Sequence, residues 1–145
     1  MADVPDMAKG MAPATSQGPS ADHIRQVFAQ YGTLQSAGDV DGIVALFAED
    51  AVVRDPVNAP AHHGKSALKA FFEAGFAASG GVNEMKLEGA VRIAGNQGAA
   101  AYVVRTVRSQ PVFRVDTLDV MTFNEAGLIT EMLAYWGPDN FTQED

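Results

Sequence analysis

The sequence predicts an α+β fold, in which a curved, mainly antiparallel sheet wraps its apolar face around three helices near the N-terminus. Two observations lead to this prediction. Between residue 20 and about residue 80, three segments place apolar residues at the spacing of amphipathic helices, and beyond residue 80 four extended stretches alternate apolar and polar residues. Of the 145 residues, 47% are hydrophobic, which is enough for one domain whose core encloses a small-molecule cavity.

The composition argues against several classes of function. The formal net charge is -8 and no cluster of Lys and Arg relieves it, so the chain repels nucleic acid and anionic lipid. There is no cysteine, which excludes disulfides and Cys-based metal sites. No stretch has the apolar core of a signal peptide or the ~20 apolar residues of a membrane span. We therefore expect a soluble, cytoplasmic, unprocessed protein that binds neither nucleic acid nor membranes.

The chain begins with a segment that shows no periodicity. Its first 19 residues are rich in Met, Ala, Pro, Gly and Ser. We predict a flexible tail over residues 1–19 and a single folded domain over residues 20–145, which is expected to carry the function.

Three helices are predicted after the tail. The first begins at Ser20, a favoured N-cap residue, and ends at Gly38. The second begins at Asp39 and covers residues 39–50, and the third covers residues 64–79. Their inward-facing residues are Ile24, Val27, Phe28, Tyr31 and Leu34 in the first helix, Ile43, Leu46 and Phe47 in the second, and Leu68, Phe71 and Phe72 in the third.

The remaining elements are strands. One follows the second helix and ends near Asp55, because Pro56 lacks an amide hydrogen and favours extended geometry in the residue before it. After the third helix, turn sequences separate four further strands, which we expect to pair antiparallel. These strands cover residues 83–95, 98–110, 111–123 and 128–137. A cone-shaped cavity is a natural result of such a sheet around helices.

Two carboxylates and a tyrosine lie on faces that the pattern predicts to be buried. Asp55 shares the parity of Ala51 and Val53 in the first strand. Asp119 shares the parity of the apolar odd-numbered residues of its strand, and Tyr31 lies on the apolar stripe of the first helix. A buried, unpaired carboxylate is costly, so it takes up a proton or acquires hydrogen-bond donors.

Each of these groups alone has an ordinary explanation. An Asp before Pro is commonly a turn residue, and a Tyr on a helix stripe commonly packs in the core with its hydroxyl satisfied. Asp116 shows that the strand of Asp119 is not cleanly amphipathic. Three polar groups that meet in one apolar pocket are instead what an acid/base site requires. The sequence therefore indicates a candidate site formed by Asp55, Tyr31 and Asp119.

No metal site is predicted. Asp39 and Asp41 resemble the start of a calcium loop, but the other ligands are absent and helix capping explains both residues. His62 and His63 point apart in an extended chain, which argues against a ligand set with Asp55.

At the candidate residues the chain resembles the ketosteroid isomerases of the NTF2-like (SnoaL-like, cystatin-like) superfamily. The similarity is dense in "QYGTLQSAGDVDGIVALFAEDAVVRDPV" and returns at "LDVMTFNEAG" and "MLAYWG", so it covers about residues 28–137. Many relatives with this fold lack the Tyr, Asp-Pro and Asp triplet that this chain contains. The resemblance implies a cone-shaped α+β barrel.

Carried over residue by residue, the resemblance implies a steroid Δ-isomerase. Asp55 would be the general base that moves a proton from C4 to C6 of a 3-oxo-Δ5-steroid, and Tyr31 and Asp119 would donate hydrogen bonds to the dienolate formed in between. Ketosteroid isomerases are the standard example of an aspartic acid kept neutral by an apolar site, so Asp119 is expected to be protonated near neutral pH. Phe72 is a departure, because some family members place a second tyrosine there. The resemblance implies no cofactor. It does imply a homodimer that forms through the outer face of the sheet.

Five residues on core stripes or at strand ends are predicted to contact a flat apolar substrate. They are Phe47, Phe72, Met121, Met132 and Trp136. Two alternatives stay open. One is another enzyme of the superfamily, such as a polyketide cyclase. The other is a non-catalytic carrier of an apolar ligand, in which the three polar groups satisfy one another.

Overall fold

The computed structural model describes residues 6–11, 18–81 and 83–144. Its helices are α1 (Asp6–Met11), α2 (Ala21–Ala37), α3 (Val40–Ala45) and α4 (Gly64–Ala78). Its strands are β1 (Phe47–Arg54), β2 (His62–His63), β3 (Glu84–Ala94), β4 (Gln97–Arg105), β5 (Val112–Phe123), β6 (Ile129–Tyr135) and β7 (Phe141–Glu144), and a 3-10 turn covers Pro138–Asn140. The predicted α+β class is confirmed.

Part of the N-terminal segment is helical. The short helix α1 lies within residues 1–19, for which the sequence predicts a flexible tail. Residues 1–5 and 12–17 of that segment lie outside the described residues. The helix α2 begins after Ser20, whose hydroxyl accepts a hydrogen bond from the backbone N–H of His23.

The boundary between α2 and α3 depends on two local capping residues. Gly38 has a φ of 68°, in the left-handed region that ends helices, and its N–H donates to the last turn of α2. The Asp39 side chain accepts the backbone N–H of Gly42 at 2.9 Å, which starts α3. Both positions agree with the sequence prediction.

The second predicted helix is too long. α3 ends at Ala45, and β1 begins at Phe47 instead of after residue 50. Phe47 lies opposite Ile129 of β6, and the carbonyl of Leu46 accepts the Ile129 N–H. Pairing with a strand far away in sequence therefore overrides the local helical pattern.

One curved sheet contains all seven strands of the described residues. Its order is β2-β1-β6-β5-β4-β3, and β7 pairs with the first part of β5. β1 and β6 are parallel, whereas the other pairs are antiparallel. Within the described chain the edge strands β2 and β3 do not pair with each other. The predicted cone is therefore an open sheet rather than a closed barrel.

The sequence pattern predicts neither β2 nor β7. β2 has two residues, which is too short for a visible alternation, and the side chains of β7 are mainly exposed. Both strands form because a longer neighbour offers a free edge, as the pairs Val53 with His62 and Val115 with Phe141 show.

The apolar core lies between the helices and the concave face of the sheet. α2 packs against β3 and β4, and α4 packs against β1. The buried Tyr102 hydroxyl of β4 donates to the carbonyl of Phe28 in α2 at 2.6 Å, which satisfies its polar end. A Cβ at Gly98 would lie 2.6 Å from the Phe28 ring, so the close approach of β4 to α2 requires glycine there.

Candidate active site

A cavity of about 660 Å³ lies between α2, α4 and the concave face of β5. Residues of β5 form part of its wall, and residues at the end of α4 and in the turn after it form another part. The lining residues are Tyr31, Gln35, Asp55, Pro56, Phe71, Gly75, Ala78, Ser79, Asn83, Met85, Val104, Thr106, Ser109, Phe113, Val115, Thr117, Asp119, Trp136 and Phe141. The three polar groups singled out in the sequence therefore face one cavity.

Asp55 follows β1 and continues its buried face. Ala51 and Val53 on that face are fully buried, and Asp55 is half-buried. The indole N–H of Trp136 donates to Asp55 Oδ1 at 2.5 Å. Burial raises the pKa of the Asp55 carboxyl, while the Trp136 hydrogen bond and the charge of His62 oppose the rise. Asp55 is thus a stronger base than a free aspartate and keeps a donor that favours its ionised form.

Asp119 lies on the buried face of β5, together with Val115 and Met121, and is 2% exposed. Among the described residues, its one side-chain hydrogen bond comes from the Thr117 hydroxyl at the long distance of 3.4 Å. Burial raises the pKa of Asp119 well above its ordinary value, the charge of Asp55 adds to the rise, and Thr117 opposes it. These surroundings favour a protonated Asp119, which can donate a hydrogen bond.

Tyr31 reaches the cavity from α2 and is 2% exposed. Its ring packs edge-on against the rings of Phe72 and Tyr102, with centroids 6.4 and 6.1 Å away. Burial raises the Tyr31 pKa well above its ordinary value, and the charges of Asp119 and Asp55 raise it further, while a hydrogen bond from the Gln35 side chain opposes the rise. The hydroxyl therefore stays protonated and can act as a donor.

Together these groups supply one base and two donors in a mainly apolar cavity. Proton abstraction beside a carbonyl group needs a base near the acidic carbon and donors where negative charge develops on oxygen. Asp55 fits the first requirement, because it is the carboxyl with a good donor to its ionised form. Tyr31 and Asp119 fit the second, since burial raises the pKa of both and favours their protonated, donating forms.

The structure brings four of the predicted site residues to the large cavity. Asp55, Tyr31, Asp119 and Trp136 line it, although they come from four separate segments of the chain. Phe72 lies beside it and lines an adjoining cavity of about 130 Å³.

Three residues that were predicted to contact substrate lie in the packed core instead. Phe47, Met121 and Met132 are each 0% exposed and do not line either cavity. The reason is that the concave face has two zones. The cavity extends along β5 up to Asp119, and the next inward residue, Met121, packs in the core opposite Met132. An apolar stripe identifies the face but does not separate these zones.

The sequence analysis missed six polar residues of the cavity wall, which are Gln35, Ser79, Asn83, Thr106, Ser109 and Thr117. Gln35 lies four residues after Tyr31, on the same helix face, and this spacing could have identified it. Thr117 shares the parity of Asp119 in β5, which is a comparable signal. Asn83 lies in the turn before β3, where no periodicity indicates the direction of a side chain.

The part of the chain that the structure describes contains neither a metal-ligand cluster nor a membrane-crossing helix. No three His, Cys, Asp or Glu side chains there lie close enough together to hold a metal ion. The His62 ring packs on Phe71, with centroids 4.4 Å apart. No described helix combines the length and the apolar composition that crossing a membrane requires.

Comparisons with known proteins agree with this fold and with the resemblance in the sequence. Residues 24–132 match the family model of the SnoaL-like domain. The chain is 34% identical over 115 residues to the steroid Delta-isomerase of Nocardioides simplex. The aligned region covers 79% of this chain and 90% of that protein. The fold is also similar to a solved structure of the epoxide hydrolase/cyclase-like enzyme SalBIII, described as having a role in pyran ring formation in the polyether salinomycin. The TM-score is 0.75 and the sequence identity is 24%, and the match covers 86% of this chain and 98% of that one. At that identity the likeness shows the fold alone. The chain therefore belongs to the SnoaL-like family, within the NTF2-like fold.

Proposed function

We propose that the protein is a steroid Δ-isomerase, which converts 3-oxo-Δ5-steroids into 3-oxo-Δ4-steroids. The observation that carries the proposal is that Asp55, Tyr31 and Asp119 line one cavity, with surroundings that leave one base and two donors. The 34% identity to a protein named steroid Delta-isomerase supports the substrate class.

The proposed reaction is an internal proton transfer. Asp55 takes a proton from C4, and the electron pair of the broken C–H bond delocalises as a dienolate with negative charge on the C3 oxygen. Tyr31 and Asp119 donate hydrogen bonds to that oxygen, which carries more charge in the transition state than in the substrate. Asp55 then returns the proton to C6, which gives the conjugated Δ4-ketone. Atoms and electrons balance within the steroid, so no co-substrate is consumed.

Trp136 would position the base. Its N–H binds one oxygen of the Asp55 carboxylate, which leaves the second oxygen for the proton transfer. This contact fixes the carboxylate near the cavity while the chain around Pro56 turns away from β1.

An assay with a 3-oxo-Δ5-steroid tests the proposal, because the Δ4-enone product absorbs in the near ultraviolet and the substrate does not. We expect the band to grow with catalytic turnover. Steroid binding without this band would favour the non-catalytic carrier. An absence of steroid binding would favour a different enzyme of the superfamily, such as a polyketide cyclase.

We also propose that the protein forms a homodimer through the outer face of the sheet. Leu118 of β5 and Tyr135 of β6 lie opposite each other and are 41% and 45% exposed. Neighbouring exposed apolar side chains on a sheet face are typical of an interface.

Leu118→Glu is expected to convert a dimer into a monomer in size-exclusion chromatography with light scattering. Val107→Glu, at a 43% exposed apolar residue outside the sheet, is the control. A monomeric wild-type protein would contradict the proposal.

A further inference from the structure

The adjoining cavity of about 130 Å³ is a side branch of the large one. The two cavities share Gln35, Asp55 and Asn83, whose polar side chains lie where the branch joins the main space. Phe71 and Gly75 also line both cavities, whereas Phe72 and Phe76 line the smaller one. The branch is therefore an apolar recess with polar groups from α2, from the end of β1 and from the turn before β3.

Asn83 has an acceptor without a partner. Its Oδ1 atom is buried and forms no hydrogen bond with the described residues. Other polar side chains of the large cavity differ in this respect: the Ser79 hydroxyl donates to the Gly75 carbonyl at 3.1 Å, and the Ser109 hydroxyl donates to the Thr106 carbonyl at 2.9 Å. A buried acceptor without a donor is unfavourable, and a ligand that supplies the donor removes this cost.

Gln35 supplies the complementary group. It lies one helical turn after Tyr31, so its amide enters the branch about 6 Å further along α2. An amide carries both N–H donors and a carbonyl acceptor. One N–H of the Gln35 amide donates to the Tyr31 oxygen, and its second N–H can donate to a ligand group that in turn donates to Asn83 Oδ1.

This pair of partners fits a neutral hydroxyl group. A ketone oxygen accepts hydrogen bonds but cannot donate to Asn83 Oδ1. A carboxylate would place a second negative charge beside Asp55, which also borders the branch. The volume of the branch well exceeds the ~30 Å³ that one water occupies in the liquid, so it admits a substituent that carries the hydroxyl.

We propose that Gln35 and Asn83 form a hydroxyl-binding subsite, and that the protein prefers 3-oxo-steroids with a hydroxyl group on the ring edge that faces this branch. The inference rests on the proposed steroid function and specifies its substrate class. It makes Asn83 a specificity-determining residue, which binds the substrate away from the reacting carbons.

The test measures binding rather than turnover. Trp136 is the only tryptophan of the chain and lines the large cavity, so its fluorescence reports ligand binding. The probes are 3-oxo-Δ4-steroids that differ only in the presence and ring position of one hydroxyl group. We expect at least one hydroxylated steroid to bind the wild-type protein about tenfold more tightly than its deoxy parent.

Variants assign that preference to the subsite. Asn83→Leu should reduce it to less than about threefold without weakening the binding of the deoxy parent. Gln35→Leu should also reduce the preference, which gives a second measurement if one variant folds poorly. Because Gln35 contacts Tyr31, the preference in this variant is the ratio of hydroxylated to deoxy steroid binding within the same variant. Ser79→Ala is the matched control, because its hydroxyl lines the cavity but already donates to a helix carbonyl, and it should keep the full preference.

Three results would overturn the inference. One is equal binding of hydroxylated and deoxy steroids by the wild-type protein, which would leave the isomerase proposal intact. Another is an equal loss for all ligands in Asn83→Leu, as expected if water alone occupies the branch. The third is no binding of any steroid, which would overturn the proposed function as well.

Discussion

At the scale of single residues, the two aspartates of the cavity differ in what surrounds them. Asp55 is half-buried and accepts the N–H of Trp136 at 2.5 Å, whereas Asp119 is 2% exposed and has the Thr117 hydroxyl at 3.4 Å. Burial raises the pKa of both, and the charge of Asp55 raises that of Asp119 further. When one of two coupled carboxyls ionises, the group with the better donor carries the charge. This difference supports Asp55 as the base and Asp119 as the donor.

Replacement of the base tests its role directly. Asp55→Asn keeps nearly the same shape but cannot accept the proton, so kcat should fall by at least about 10²–10⁴-fold. Steroid binding, followed by Trp136 fluorescence, should survive because the cavity is unchanged. Asp116→Asn, on the exposed face of β5, is the control and should keep full activity. If Asp55→Asn retained most of the turnover, the assignment of the base would be wrong.

The oxyanion donors can be ranked by two substitutions. Tyr31→Phe removes the proposed donor to the C3 oxygen, and losses of about 10²-fold or more in kcat are typical of such positions. Phe72→Tyr adds a hydroxyl near Tyr31, whose ring centroid lies 6.4 Å away, and it can at best polarise Tyr31. In a chain of hydrogen bonds each bond strengthens the next by about 10–30%. We therefore expect Phe72→Tyr to change kcat by less than ~10-fold. Equal effects of both variants on the same steroid would show that Tyr31 is not the main donor.

At the scale of elements, local signals were sufficient wherever local chemistry decides the structure. α2 could be predicted because Ser20 and Gly38 cap it through contacts within a few residues. The inward face of β5 could be predicted because alternation alone determines it. The start of β1 could not, since Phe47 is extended only through its pairing with Ile129 of β6. Such a pairing leaves no trace in the neighbouring sequence.

The contact between α2 and β4 leads to a stability prediction. A Cβ at Gly98 would lie 2.6 Å from the Phe28 ring and 2.8 Å from Ile24 Cγ2, and both side chains are 0% exposed. Gly98→Ala should therefore lower the free energy of unfolding by about 1–3 kcal/mol, as overpacking of a core does. Gly137→Ala is the control, because nothing lies within 4 Å of its Cβ position, and it should stay within about 0.5 kcal/mol. Urea unfolding measures both, and equal stabilities would contradict the prediction.

At the scale of the whole molecule, the site depends on how distant segments meet. The sequence pattern identified Tyr31, Asp55 and Asp119 because each is a polar group on an apolar stripe, and the structure brings all three to one cavity. It did not identify Asn83, whose direction depends on the turn between α4 and β3. It also assigned Met121 to the substrate, although the residue packs in the core, since only the tertiary structure shows where the cavity ends.

The burial of Asp119 also has a consequence for the stability of the whole fold. A carboxyl whose pKa is raised on folding binds more protons in the folded state, so the free energy of unfolding falls as pH rises from the unfolded pKa of about 3.9 through the folded value. Each pKa unit by which the folded and unfolded values differ changes the free energy of unfolding by about 1.4 kcal/mol. Asp119→Asn removes this contribution, so the variant should lose less stability than the wild type between about pH 4 and pH 8.

Urea unfolding over this pH range, at one fixed protein concentration, measures the effect. The difference between the two profiles reports the titration of Asp119 together with its coupling to Asp55 and Tyr31, because the other titrating groups are common to both proteins. Glu125→Gln removes an exposed carboxylate from the turn between β5 and β6 and should follow the wild-type profile. If the Asp119→Asn and wild-type profiles ran parallel, Asp119 would be ionised in the folded protein across the range, and it could not donate a hydrogen bond to the C3 oxygen.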